Sequence, residues 1–217
     1  MYVGKCIELK AVTNVLVEGN TVHHCTDSAI RCDNCDTSII RNNIVYGNVW
    51  WTTQGASAIV FAEAIGSGYL TIEGNVVYAN RNFLPFFLTG SLTHFGSGVE
   101  HYGEYNQFAV VDGQGVYITR NLDYQGNFTL ADNIAYDNGI NGVVVHKTTN
   151  NNVEVNVANN IVFDNGKTRK VEESRQTAGG LTINSGDYAS TQALRNNVVT
   201  AGADDVSYQC FGTCNIR

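Results

Sequence analysis

One motif constrains this chain more than any other: a short alternating strand, a tight turn and an asparagine, repeated at irregular intervals. Six segments fall into register on that asparagine: VLVEGNTVHHC at Asn20, SIIRNNIVYGN at Asn43, LTIEGNVVYAN at Asn75, FTLADNIAYDN at Asn133, VEVNVANNIVFDN at Asn160 and ALRNNVVTAG at Asn197. Self-similarity of this kind marks a stacked repeat, each unit burying its apolar face against the next. The units are too short for β-α-β crossovers, and no stretch between them has a helical period, so helical solenoids fit poorly.

A second column of strands precedes the first: CIELK, AIRCD, AIVFAE, GVYITR, GVVVHK and GLTIN. Alternation within them points Ile7/Leu9, Ile30/Cys32, Ile59/Phe61, Val116/Ile118, Val143/Val145 and Leu181/Ile183 inward and their neighbours outward. Coils stacked about 4.8 Å apart turn each aligned position into a column along a parallel sheet. Asn43, Asn75, Asn133 and Asn160 then form an amide ladder, with a second at Asn48, Asn80, Asn138 and Asn165 beside an aromatic stack of Tyr46, Tyr78, Tyr136 and Phe163. The expected fold is all-β, a right-handed parallel solenoid of about six coils with long loop insertions. It forms a single domain over 1–217, with 81–114 as the longest insertion.

Composition agrees. An apolar fraction of 43%, with 15% charged residues, 22 glycines and one proline, describes a folded, turn-rich β protein. A net charge of −7 argues against a broad surface for nucleic acid or anionic membrane, so neither is expected as a partner. The opening MYVGKCIELK lacks the n- and h-regions of a signal peptide. Because the repeat starts almost at Met1, the reading allows for truncation at the N-terminus. Cys6, Cys25, Cys32, Cys35, Cys210 and Cys214 are an even set clustered at the two ends, which fits disulfide staples and a secreted, extracellular protein. The spacing leaves the pairing open, and a metal site at C-x-x-C or C-x-x-x-C is the competing reading.

The strand followed by an ITIEGNVVYAN-like turn resembles the parallel β-helix repeat of the pectate-lyase-like superfamily, from about Tyr2 to Thr200. That resemblance implies a polysaccharide substrate and, in pectate lyases and alginate or chondroitin lyases, β-elimination with a lysine or arginine base, several members using Ca2+. Lys147 resembles such a base and Arg120 a carboxylate binder or acid, in the reverse chain order from the chondroitinase B type.

The residues themselves place Glu63, Arg120 and Lys147 on one outward column, with His146 one position before Lys147. These four are the candidate catalytic group. In β-elimination a base takes the proton at C5 of a uronic acid while a cation neutralises the adjacent carboxylate. The aromatic insertion and the segment before it offer Trp50, Trp51, His101, Tyr102, Tyr105 and Asp112 as candidate substrate contacts. Asp33, Asp36 and Glu63 are the candidate oxygen ligands should Ca2+ be used. Two other readings stand beside the lyase: a glycoside hydrolase pairing Glu63 with Asp112 or Asp33, and a non-catalytic glycan-binding or structural β-helix.

Overall fold

The computed structural model describes residues 4–51, 56–82, 86–89, 99–102, 107–110, 113–121, 123–148, 154–168, 179–184, 191–200, 206–211 and 214–216. Its strands wind into three parallel sheets whose neighbours follow chain order, so that each turn of the chain adds one strand to each sheet. The first sheet runs Ile7–Lys10, Ile30–Asp33, Ser57–Ala62, Gln114–Asn121, Val143–Thr148, Gly179–Asn184 and Val206–Phe211. The second runs Thr13–Glu18, Asp36–Arg41, Tyr69–Glu73, Asn127–Ala131, Glu154–Ala158, Thr191–Arg195 and Cys214–Ile216. The third runs Thr21–His23, Ile44–Tyr46, Val76–Tyr78, Ile134–Tyr136, Ile161–Phe163 and Val198–Val199. The coil therefore continues past Thr200, into two strands that hold Cys210 and Cys214. The long insertion adds a small antiparallel sheet of Phe86–Thr89, Val99–Tyr102 and Gln107–Val110.

The register is the one the alternation predicts. Ile30 pairs with Ile7 and Ile59, Val116 with Ile59 and Val143, and Val143 with Leu181. Ile30, Ile59, Phe61, Val116, Val143, Val145 and Leu181 are completely buried, and with the inner rows of the other two sheets they form one continuous core. Such columns are stable because each apolar side chain meets its equivalent one coil away.

What bends each coil is a left-handed residue placed just before an inward one. Gly19, Asn42, Gly74, Asp132, Asn159 and Asn196 have positive φ and precede the asparagines of the first ladder. Gly47, Ala79, Asp137 and Asp164 do the same for the second. Gly, Asn and Asp tolerate this conformation best, which explains their density in the motif. The ladder asparagine then supplies both a donor and an acceptor where the bend interrupts backbone pairing. Asn75 Oδ1 accepts from Asn43 N and Nδ2, both at 3.0 Å, and Asn75 Nδ2 donates to Ile40 O at 3.0 Å, Glu73 O at 3.1 Å and Asn133 Oδ1 at 3.0 Å. An aspartate or alanine has no equivalent pair of groups.

The predicted aromatic stack is present on the outer side of the third sheet. Ring centroids lie 5.1, 5.0 and 5.0 Å apart from Tyr46 through Tyr78 and Tyr136 to Phe163, with planes within 10°. His23 extends the column by one coil, 5.1 Å from Tyr46.

Disulfides join Cys6 to Cys25 and Cys32 to Cys35, so the N-terminal cysteines are engaged with each other. The side chains of Cys210 and Cys214 lie outside the described residues. Cys6 and Cys25 close a loop with a sequence separation of 19, which in the chain-entropy account is worth about 3 kcal/mol. We expect Cys6→Ser/Cys25→Ser to lower unfolding free energy by that order in urea titrations under oxidising conditions.

No described helix is long and apolar enough to cross a membrane.

Candidate functional site

The first sheet presents two outward rows and ends in a bend, and the candidate residues sort along these. Thr119 pairs with Ala62 on one side and His146 on the other, which places Glu63, Arg120 and Lys147 at successive coils one position later. The predicted column is therefore real at the level of backbone register; the side chain of Lys147 lies outside the described residues. An Arg120 Nη is 3.5 Å from a Glu63 carboxylate oxygen, with both side chains about half exposed at 55% and 49%. An exposed pair of this kind adds little to stability, at most about 1 kcal/mol.

The backbone beneath the pair is more informative than the pair. Ala11, Asn34, Glu63 and Arg120 all have φ between 53° and 54°, so the column is the left-handed bend that leads from the first sheet to the second. At the other two bends glycine, asparagine and aspartate dominate; here a glutamate and an arginine occupy the same strained conformation, at a cost of order 1–2 kcal/mol each. Just inside this bend Asn121 Oδ1 accepts from Ala64 N at 2.6 Å, a single rung of the kind the ladders repeat.

Beside the bend, the Tyr117 hydroxyl lies 3.1 Å from His146 Nδ1, with the two rings nearly parallel at 10° and 6.3 Å. The contact is diagonal, since Tyr117 pairs in register with Val144 and His146 with Thr119. Tyr117 belongs to a second apolar cluster with Val60, Ala62 and Val144, all outward-facing yet 9% exposed or less. The outer face of the first sheet is thus covered at its middle coils and polar at its bend. Toward the N-terminal coils Arg31 Nε bonds both Asp33 oxygens at 2.9 and 2.8 Å. Burial works against the Arg31 charge, but its bond to Asp33 and the charges of Asp33, Asp27 and Glu63 outweigh that penalty and raise its pKa.

The remaining candidates are dispersed. The long insertion and the segment carrying Trp50 and Trp51 both enter the coil where the third sheet leads into the first, at the start of the first-sheet strands, whereas Glu63 and Arg120 lie at the strands' far ends. Trp50 Nε1 donates to His24 O at 3.4 Å and Trp51 N to Thr26 O at 3.2 Å, which seats both tryptophans on the N-terminal coil. His101 and Tyr102 are backbone positions on Val99–Tyr102, and Tyr105 and Asp112 lie outside the described residues. Nor do the three calcium candidates converge. Asp33 is held by Arg31, Glu63 by Arg120, and Asp36 Oδ1 by Thr37 N and Gly68 N, each at 2.9 Å. Among the described residues no three His, Cys, Asp or Glu side chains group as a metal site. Gly66, with φ +80°, must be glycine because a Cβ there would sit 2.3 Å from Asp36 Oδ2.

Tyr117 and Arg31 were not among the residues singled out from sequence. Arg31 and Asp33 share a strand face at i, i+2, a legible signal; the diagonal reach of Tyr117 to His146 is a matter of side-chain direction alone.

Residues 3–103 match the family model described as a right handed beta helix region. The chain is a right-handed parallel β-helix. No curated protein and no solved structure matches it. A β-helix of this kind offers its sheet faces and bends as a scaffold for many chemistries, so activity is argued from the site and not from the fold.

Proposed function

We propose that this β-helix is a polysaccharide lyase that cleaves an acidic, uronic-acid polysaccharide by β-elimination at the bend of the first sheet. The observation that carries the reading is the placement of Glu63 and Arg120 in left-handed backbone on adjacent coils, where glycine, asparagine or aspartate would cost less. Strain retained by bulky charged residues is a pointer to function.

In this reading Arg120 neutralises the uronate carboxylate, which acidifies the C5 proton and stabilises the enolate-like intermediate. Lys147, next along the column, removes that proton in its neutral form; an arginine neighbour disfavours the lysine charge. The C5 electron pair forms the C4–C5 double bond as the C4–O bond breaks. His146 as imidazolium donates through both nitrogens, Nδ1 to the Tyr117 oxygen and Nε2 to the departing glycosidic oxygen. Glu63 holds Arg120 in place until the substrate carboxylate competes for it. The disulfides support maturation in an oxidising compartment and hence secretion.

Incubation with polygalacturonate, alginate, chondroitin sulfate and hyaluronan tests the proposal. The expected result is ultraviolet absorbance from the unsaturated uronate product with at least one of them. New reducing ends without that absorbance would establish hydrolysis instead, and binding without either would establish a glycan-binding module.

A further inference from the structure

A second constellation sits on the N-terminal coil, on a different sheet from the proposed lyase site. The strand Thr21–His23 ends in a histidine and a second, His24, follows it, both exposed. In an extended strand consecutive side chains point to opposite faces. Here His24 takes the left-handed bend, with φ 61°, and the reversal swings its ring round to meet its neighbour. The two rings are edge to face at 85°, with His23 Nδ1 and His24 Nδ1 2.6 Å apart. His23 stacks on Tyr46, at 5.1 Å and 22°, and His24 meets the same ring edge to face at 6.4 Å, so one tyrosine orients both members of the pair.

Two imidazole nitrogens that face each other at this distance share one proton, the Nδ1–H of one ring donating to the Nδ1 lone pair of the other. A metal ion that displaces that proton finds both lone pairs turned toward one point. We propose that His23 and His24 chelate a divalent late first-row transition metal ion, copper(II) before the others, with water completing the coordination. Metal–imidazole bonds of about 2.0–2.1 Å put cis nitrogens about 2.9–3.4 Å apart, so from 2.6 Å the nitrogens need separate by about 0.3 Å in square-planar geometry and about 0.8 Å in tetrahedral geometry. Borderline nitrogen ligands select copper, nickel and zinc over calcium and magnesium, and the Irving–Williams order places copper first. The left-handed bend fixes His24 before the ion arrives, which lowers the ordering cost of binding.

The test uses untagged, disulfide-intact protein titrated calorimetrically with copper(II), nickel(II), zinc(II) and calcium chlorides, with electron paramagnetic resonance on the copper form. One equivalent of copper should bind more tightly than nickel or zinc, calcium should not compete, and the spectrum should show two imidazole nitrogens. His23→Ala should weaken copper binding by about 10–100-fold or more, at least the loss that follows removal of a mere supporting residue. His24→Asn should do the same while keeping a residue that accepts left-handed backbone, so the coil stays folded by circular dichroism. His146→Ala should leave the affinity unchanged. Copper binding that survives both N-terminal variants, or that is lost only in His146→Ala, overturns the assignment, as does a spectrum with fewer than two imidazole nitrogens.

Discussion

Replacing Asn75 by alanine should cost the fold about 3–5 kcal/mol, a large share of the stability of a domain this size. Asn75 is completely buried in the middle of the first ladder. Its removal leaves the amide of Asn43 without the acceptor it meets at 3.0 Å and the carbonyl of Ile40 without the donor it meets at 3.0 Å. Each buried group left unpaired costs on the order of 1–3 kcal/mol, and the neighbouring amides of Asn43 and Asn133 lose their rung as well. The terminal rung provides the comparison. Asn20 is exposed and donates only to Glu18 O and Asn43 Oδ1, so Asn20→Ala should cost about 1 kcal/mol or less. Urea denaturation of both variants decides the matter; equal losses would show that the ladder is not what holds the bends.

The second large effect concerns catalysis. Once a cleaved polysaccharide is found, Lys147→Ala should lower kcat by about 10²–10⁴-fold with a smaller change in KM, as expected for loss of a general base. Arg120→Ala should lower kcat and raise KM together, because the carboxylate is held in both ground and transition states. Tyr117→Phe should lower kcat more modestly, since it removes the partner 3.1 Å from His146 Nδ1 but leaves the ring. Full activity in Lys147→Ala would move the base elsewhere, the Tyr117–His146 pair being the next group along the same face.

These two experiments probe different levels of the molecule. Ladder asparagines act through buried hydrogen bonds that any parallel coil of this type requires, and their loss is read in stability. The bend residues Glu63 and Arg120 are half exposed and joined by a weak pair, so their replacement should change activity far more than stability. A variant of Arg120 that unfolds the protein would argue for a structural role.

Periodicity by itself determined two columns of strands, the inward row of the first sheet, both ladders and the aromatic column, because a side-chain period of two and a fixed coil spacing leave one consistent register. It also placed Glu63, Arg120 and Lys147 on one column. The division of the asparagine-ended column into two sheets, and the coil past Thr200, came from the structure. Three further things depended on the tertiary structure. The left-handed backbone under Glu63 and Arg120 follows from where the coil must turn. The pairing of Cys6 with Cys25 and Cys32 with Cys35 follows from which cysteines the coil brings together, since spacing alone permits several connectivities. The meeting of Tyr117 with His146, and of His23 with His24, follows from side-chain direction across or around a bend, where strand alternation no longer predicts which groups touch.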